Sequence, residues 1–184
     1  MVATLQTDRL LLRPLVSQDA EPLERLAGDR AIADTMISVP PPFTSRDAQD
    51  WITAYGEPAG EGPHRYFAVC LGSSGELVGI TALRDIDDQH SQAELSFWVG
   101  QPYWGRGFAS EAAGAVLQYA FEVLGLNRVT AYHMLRNPAS GRVLTRLGFR
   151  QEGILRQRVR KWGVFEDVAA YAVVRAEYCG AVRW

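Results

Sequence analysis

A run rich in small residues is the feature of this sequence best suited to bind a ligand. It consists of Tyr103-Trp104-Gly105-Arg106-Gly107-Phe108-Ala109-Ser110, between a predicted strand that ends at Val99 and a predicted helix that begins near Ser110. Backbone N–H groups at the start of a helix have no partner within it, and the helix dipole makes that end positive. The run can therefore bind an anion such as a pyrophosphate, or it can be an ordinary tight turn.

Two common phosphate-binding motifs do not fit this run. The dinucleotide motif G-x-G-x-x-G requires a glycine where Ser110 stands, and no G-K-[ST] follows as in a P-loop. Any anion site here must therefore depend on backbone amides of a different kind of loop.

The segments around this run alternate between strand and helix patterns. Apolar segments bounded by turn residues predict seven strands, at residues 10–14, 66–71, 77–83, 93–99, 128–134, 149–155 and 167–174. Helical spacing and caps predict four helices, from Ser17 or Asp19 to Gly28, from the Thr44/Asp47 capping box to Tyr55, from Ser110 to Leu124, and from Asn137 to Gly148. Antiparallel strands followed by a β-α-β-α-β half predict an α/β (α+β) fold. Its mixed, mostly antiparallel sheet has helices on both faces, in a single domain over residues 1–184.

Composition narrows the possible classes of function. The 184 residues carry 19 basic and 21 acidic side chains, for a net charge of −2, so we expect no nucleic-acid partner. No apolar run approaches the roughly 20 residues that a membrane span needs, which predicts a cytoplasmic protein without a membrane partner. The two cysteines are far apart and the three histidines lack ligand spacing, so no metal site is expected.

The loop and three further segments together resemble the GNAT superfamily of N-acetyltransferases. The segments are TDRLLLRP (7–14), NPASGRVLTRLGF (137–149) and FEDVAAYAV (165–173). The superfamily pattern Q/R-x-x-G-x-G/A has Trp104 at its first position here. That departure resembles the branch that acetylates ribosomal-protein N-terminal amines.

This resemblance implies acetyl-CoA as cosubstrate and assigns residues to its binding. The pyrophosphate would lie against the backbone of Trp104, Gly105, Arg106, Gly107, Phe108, Ala109 and Ser110. The acetyl-pantetheine arm would lie beside Phe97, Trp98 and Val99, where a backbone N–H would stabilise the charged thioester oxygen. Asn137 would contact the arm, only cap its helix, or do both. Trp98, Trp104 and Trp162 are expected to pack rather than to form a substrate cage.

The resemblance also indicates two candidate catalytic residues. Aminolysis of a thioester needs a neutral amine, and Glu94 is the candidate base, with a solvated carboxylate or an ion pair with an arginine as its structural alternative. Many relatives place a tyrosine where Leu144 stands. In the branch that acetylates ribosomal-protein N-terminal amines, a serine at the place of Ser140 resembles the proton donor to the thiolate. Its structural alternative is a backbone hydrogen bond in the first helical turn.

The acceptor is the least specified part of this expectation. A protein N-terminal amine and a small amine both remain open, as does a non-catalytic module of the same fold that senses acyl-CoA. Residues 34–44 and 57–65 are expected to line the acceptor cleft, and a homodimer is possible.

Overall fold

A single eight-stranded sheet forms the centre of the protein. The computed structural model describes residues 3–37, 39–40, 42–56, 62–178 and 180. The strands are β1 (Leu5–Gln6), β2 (Leu10–Arg13), β3 (Arg65–Leu71), β4 (Leu77–Asp87), β5 (Gln92–Val99), β6 (Arg128–Met134), β7 (Arg150–Lys161) and β8 (Val164–Val174). Their order across the sheet is β1-β2-β3-β4-β5-β6-β8-β7, so the predicted mixed and mostly antiparallel sheet is confirmed.

The one parallel pair among the described strands, β5 with β6, is paired over a short stretch. β5 and β6 pair only from Gln92↔Arg128 to Glu94↔Thr130. By contrast, β5 pairs with β4 from Gly79↔Val99 to Asp87↔Gln92. Beyond Glu94 the two parallel strands are no longer paired, which leaves an opening in the middle of the sheet.

Helices cover both faces of the sheet, as the sequence predicts. They are α1 (Ala20–Ala27), α2 (Arg30–Thr35), α3 (Ser45–Tyr55), α4 (Phe108–Gln118) and α5 (Pro138–Arg146). Leu117 of α4 and Leu144 of α5 belong to one apolar cluster, whereas Leu23 of α1 and Ala48 of α3 belong to a second. None of the described helices is long and apolar enough to cross a membrane.

The predicted capping box of α3 is confirmed. Thr44 N–H donates to Asp47 Oδ2 at 2.7 Å, and Asp47 N–H donates to Thr44 Oγ1 at 3.3 Å. The predictions missed β1 and α2, because a strand of two residues and a helix of six residues are too short to show a hydrophobic period. They also ended β7 at residue 155, whereas the strand continues to Lys161. The missed half has the sequence RQRVRK, which is almost without apolar residues.

The predicted start of α4 was wrong by two residues. The helix begins at Phe108 because Gly107, with φ of 81°, ends the loop in the left-handed conformation that glycine adopts without strain. At its other end α4 continues as a π-helical turn at Tyr119–Val123 before Gly125, whose φ is 70°. Three residues given to the loop, Phe108, Ala109 and Ser110, are therefore the first turn of the helix.

Candidate active site

The backbone of β5 offers free hydrogen-bonding groups to the opening beside β6. Gly100 N–H donates to Val78 O of β4 at 2.8 Å. Alternate residues of a strand turn their backbone groups to the same side, so Phe97 and Val99 face away from β4 and into the opening. The backbone N–H of Trp98 faces β4 instead. Of the three predicted residues, only Phe97 and Val99 can present an N–H to a ligand in the opening.

The three tryptophans of the prediction have different environments. Trp98 is buried in the apolar cluster with α1 and α3. Trp104 is half exposed, and its indole N–H donates to Val99 O at 2.6 Å, which fastens the loop to the end of β5. Trp162 is also half exposed.

The loop between β5 and α4 leaves a set of backbone amides unpaired. The first hydrogen bond of α4 runs from Glu111 N–H to Gly107 O at 3.1 Å. The N–H groups of Phe108, Ala109 and Ser110 precede it and have no partner within the helix. Arg106 is exposed, with its guanidinium carbon 5.8 Å from the centroid of the Tyr103 ring. The loop therefore has the free amides and the accessible cation that suit a phosphate group.

A buried carboxylate supports this loop from behind, and the sequence predictions missed it. Glu111 has a side chain that is 0% exposed, and it accepts hydrogen bonds from Thr7 Oγ1 at 2.6 Å and from Arg9 Nε at 2.7 Å. Arg9 also donates to Arg106 O at 2.9 Å. The segment TDRLLLRP contains Thr7 and Arg9, but the sequence analysis interpreted it only as a strand. These two residues join the first strands to α4 and to the loop that precedes it.

Glu94 lies at the end of the paired part of β5, where the opening begins. Its side chain is 25% exposed, and its Oε1 is 3.6 Å from Arg84 Nη2. Burial raises the pKa of Glu94, and Asp85 raises it further, whereas Arg84 and Arg158 act in the opposite direction. The predicted alternative of an arginine ion pair is thus present. The same geometry keeps the carboxylate available as a base, because the pair is long and the pKa is raised.

Asn137 and Ser140 stand together at the start of α5. Asn137 occupies the N-cap position, but its side chain accepts no hydrogen bond from the helix, so a capping role is wrong for this side chain. It donates through Nδ2 to Ser140 Oγ at 3.0 Å. Because the Ser140 oxygen accepts this bond, its own hydrogen is free to be donated elsewhere.

A cavity of about 250 Å³ brings these candidates together. Glu94 and Phe97 of β5 line it from one side, and Asn137 and Ser140 of α5 line it from another. Residues 35–37, which are the last residue of α2 and the two that follow it, form part of its wall. They lie within the segment 34–44 that the sequence analysis expects at the acceptor cleft. Of the second predicted segment, residues 57–61 lie outside the described residues.

His133 lines the cavity, and the sequence analysis did not select it as a functional residue. It is buried, its Nδ1 is 2.9 Å from Met134 O, and its Nε2 has no hydrogen-bond partner among the described residues. Gly141 of α5 packs closely on it, since a Cβ there would lie 2.7 Å from Nε2. The ring thus lines the cavity and contacts Gly141 of α5.

The β7–β8 hairpin is fastened to the chain that follows α2. Lys161 is buried, and its Nζ donates to Met36 O at 2.7 Å and to Val39 O at 2.9 Å. Burial lowers the pKa of this lysine. These bonds hold Met36 and Val39 against the hairpin.

Charged side chains strengthen the same junction. Trp162 Nε1 donates to Asp34 Oδ1 at 2.7 Å. Arg136, between β6 and α5, lies 2.9 Å from Asp34 Oδ2 and 2.8 Å from Glu166 Oε1. The cavity therefore has one side built by β4, β5, β6 and the start of α5, and another built by the end of α2 and the hairpin.

Comparisons with known proteins agree with this architecture. The chain is 33% identical over 178 residues to the uncharacterized N-acetyltransferase p20 of Bacillus licheniformis, which covers 96% of this chain and 99% of that protein. It is 30% identical over 97 residues to the ribosomal-protein-serine acetyltransferase of Escherichia coli, which covers 53% of this chain and 54% of that protein.

A solved structure shows the same fold. The spermidine N-acetyltransferase of Vibrio cholerae in complex with CoA and spermine superposes with a TM-score of 0.82 at 23% identity, covering 94% of this chain and 99% of that one. The family model described as acetyltransferase (GNAT) domain matches residues 9–150. The chain therefore belongs to the GNAT family of N-acetyltransferases, enzymes that use acetyl-CoA as their acetyl donor.

Proposed function

We propose that this enzyme acetylates a primary amine bound in the cavity beside Glu94, by direct attack of the amine on the thioester. The observation that carries the proposal is the convergence of Glu94, Phe97, Asn137 and Ser140 on one cavity, at the point where β5 and β6 separate. A carboxylate, a free backbone N–H and a hydroxyl are the groups that such an aminolysis requires.

The residues present fit acetyl-CoA, which supplies the acetyl group as an activated thioester. The unpaired amides of Phe108, Ala109 and Ser110 would hold the pyrophosphate, and small residues at Gly107 and Ala109 allow its oxygens to approach. The opening between β5 and β6 would hold the pantetheine arm, with Asn137 beside it.

Glu94 would take the proton of the attacking amine. The acceptor enters as an ammonium ion near neutral pH, so a group with a raised pKa is well matched to accept its proton. Phe97 N–H, which faces the opening, would stabilise the negative charge that develops on the carbonyl oxygen.

Ser140 would return a proton to the leaving sulfur. Its oxygen is held by Asn137 Nδ2, so the hydroxyl hydrogen is oriented away from that amide and can be donated into the cavity. This division of roles between an acid and a base resembles other acyl transfers.

Release of free thiol from acetyl-CoA, measured with a panel of amines, tests the proposal. We expect amine-dependent release, and mass spectrometry should find one added acetyl group on the amine. CoA binding without thiol release from any amine would overturn it and would identify a sensor. The cytoplasmic location and the homodimer expected from the sequence stay predictions.

A further inference from the structure

Two irregular places in the sheet lie next to the two arginines of the cavity. Arg84 of β4 and Arg158 of β7 both line it. Each is next to a non-glycine residue with positive φ. Arg84 precedes Asp85, whose φ is 50°, and Arg158 follows Gln157, whose φ is 52°. Such conformations cost free energy and persist where the surrounding structure maintains them, often at functional sites.

The irregularity in β4 is a bulge. Arg84 pairs with Glu94 and Asp87 with Gln92, so β4 has one more residue than β5 between these pairs. Asp85 N–H donates to His64 Nδ1 at 3.2 Å, which ties the bulge to the start of β3. Bulges change the direction of neighbouring side chains. Here the affected side chain, Arg84, forms the ion pair with Glu94.

The irregularity in β7 is larger. Leu155 pairs with Val168 and Val159 with Glu166, so three residues of β7 face a single residue of β8, Asp167. That residue holds the bulge, because its Oδ1 accepts the N–H of Gln157 at 2.8 Å. Arg158 follows directly and lines the cavity from the hairpin side.

The two arginines differ in their ionic partners. Arg84 is paired with Glu94, whereas no carboxylate of a described residue lies within ion-pair distance of Arg158. Among the charged side chains that line the cavity, two are cationic and one is anionic. An acceptor that is purely cationic would meet a net positive wall. An acceptor that carries a negative group would neutralise Arg158.

We infer that the amine acceptor carries a carboxylate close to its amine, and that Arg158 binds this carboxylate while Glu94 faces the amine. The inference rests on the proposed acetyl transfer and adds the class of acceptor to it. The cavity volume of about 250 Å³ suits a small molecule or the first residue of a chain rather than a long side chain. The carboxylate can come from a free amino acid or from an acidic residue at a peptide N-terminus.

Matched pairs of acceptors test the charge requirement. Each free amino acid is compared with its own amide, each Asp- or Glu-initiated peptide with its Asn- or Gln-initiated counterpart, and spermidine serves as a purely cationic amine. We expect kcat/KM to favour the carboxylate member by about 10- to 100-fold, which corresponds to a charge-assisted hydrogen bond. Preference for free amino acids or for acidic peptides identifies the source. Equal rates within every pair, or the highest rate with spermidine, would overturn the inference while leaving acetyl transfer intact.

Arg158→Gln tests the assigned residue. It should remove the preference by lowering kcat/KM for the carboxylate acceptor about 10- to 100-fold, with the amide unaffected. Arg156→Gln is the matched control, because Arg156 is an exposed arginine of the same bulge that does not line the cavity. An unchanged preference in Arg158→Gln would refute the role of Arg158.

A binding measurement keeps the test independent of turnover. Calorimetric titration of N-acetylated amino acids and their amides into the wild-type protein with CoA present imitates the product complex. We expect binding of the carboxylate form that is lost in Arg158→Gln and kept in Arg156→Gln. If no acceptor releases thiol but this pattern holds, the proposed reaction fails and the anion site stands. If thiol is released and the pattern is missing, the proposed reaction stands and the anion site fails.

Discussion

Glu94 and Arg84 lie directly opposite each other on β5 and β4, and 3.6 Å separates Oε1 of the carboxylate from Nη2 of the guanidinium. Cross-strand neighbours of opposite charge hold each other in position. Because both side chains are partly exposed and the contact is long, this pair contributes little to stability. It fixes the carboxylate at the mouth of the opening, and the raised pKa shows that burial outweighs the guanidinium there.

Glu94→Gln should lower kcat by about 10²-fold, because the amide keeps the shape of the side chain and cannot accept the proton of the amine. Acetyl-CoA affinity, measured by calorimetry, should stay within a few-fold of the wild type. Glu122→Gln, at an exposed glutamate of the π-helical turn that follows α4, is the control and should leave kcat unchanged. An unchanged rate in Glu94→Gln at neutral pH would remove this residue from the mechanism.

The pH dependence of kcat/KM should follow the surroundings of Glu94. Activity requires its carboxylate, so the rate falls as pH drops through its pKa. Burial and Asp85 raise that pKa, and Arg84 and Arg158 lower it. Asp85→Asn should therefore move the acidic limb to lower pH, and Arg84→Gln should move it to higher pH.

Other titratable groups also lie at the cavity. Tyr132 and His133 of β6 also line the cavity, and neither is altered in the two variants. Rate profiles of both variants with one acceptor make the comparison. Acidic limbs that coincide with that of the wild type would show that another group controls the rate.

Ser140→Ala should reduce kcat by about 10²-fold with little change in acetyl-CoA affinity, because it removes the proposed proton donor. Thr145→Ala is the matched hydroxyl deletion on the same helix, where Thr145 Oγ1 donates to Gly141 O at 2.9 Å. If Ser140→Ala and Thr145→Ala lose the same activity and the same thermal stability, the Ser140 hydroxyl is structural.

Ala109→Asp should weaken acetyl-CoA binding by at least about 10²-fold, since it places bulk and negative charge beside the amides of the loop. Ala109→Asn has nearly the same shape without the charge, so the difference between the two variants measures electrostatic repulsion. Thermal melting of the unliganded proteins should change much less, because Asp is tolerated near a helix N-terminus. A folded Ala109→Asp protein with normal CoA affinity would mean that the pyrophosphate does not lie at this loop.

Removing Arg9 should lower the free energy of unfolding more than altering Glu111 does, although the two residues form one ion pair. Arg9 has a side chain that is 47% exposed and can be hydrated when its partner is lost, whereas the Glu111 side chain is 0% exposed. Arg9→Ala leaves a buried carboxylate without its cation, which costs about 3–5 kcal/mol of the free energy of unfolding. Glu111→Gln should cost less.

Denaturant unfolding compares the two variants, and Arg106→Ala is the control. Arg106 is exposed, so its loss should change the free energy of unfolding by no more than about 0.5 kcal/mol. The reverse order of Arg9 and Glu111 would show that the carboxylate is protonated or hydrated in the folded protein.

The cofactor side of the site could be predicted from the sequence because its residues lie close together along the chain. Gly105 and Gly107 mark the loop, and Asn137 and Pro138 mark the start of α5. The acceptor side could not be predicted in this way. Arg158 lies in a strand without a hydrophobic period, and its direction depends on a bulge whose partner, Asp167, belongs to another strand.

Lys161 links two parts of the chain that are far apart in the sequence. Its bonds to the carbonyls of Met36 and Val39 span 125 and 122 residues. All residues that we assign to acetyl-CoA or to proton transfer, by contrast, lie at or before Ser140. Closing so long a segment costs entropy that is recovered only when the hairpin docks. A ribosome makes residues 150–174 after all of these residues, so we expect a newly made chain to complete its proposed cofactor side before it acquires the proposed acceptor wall.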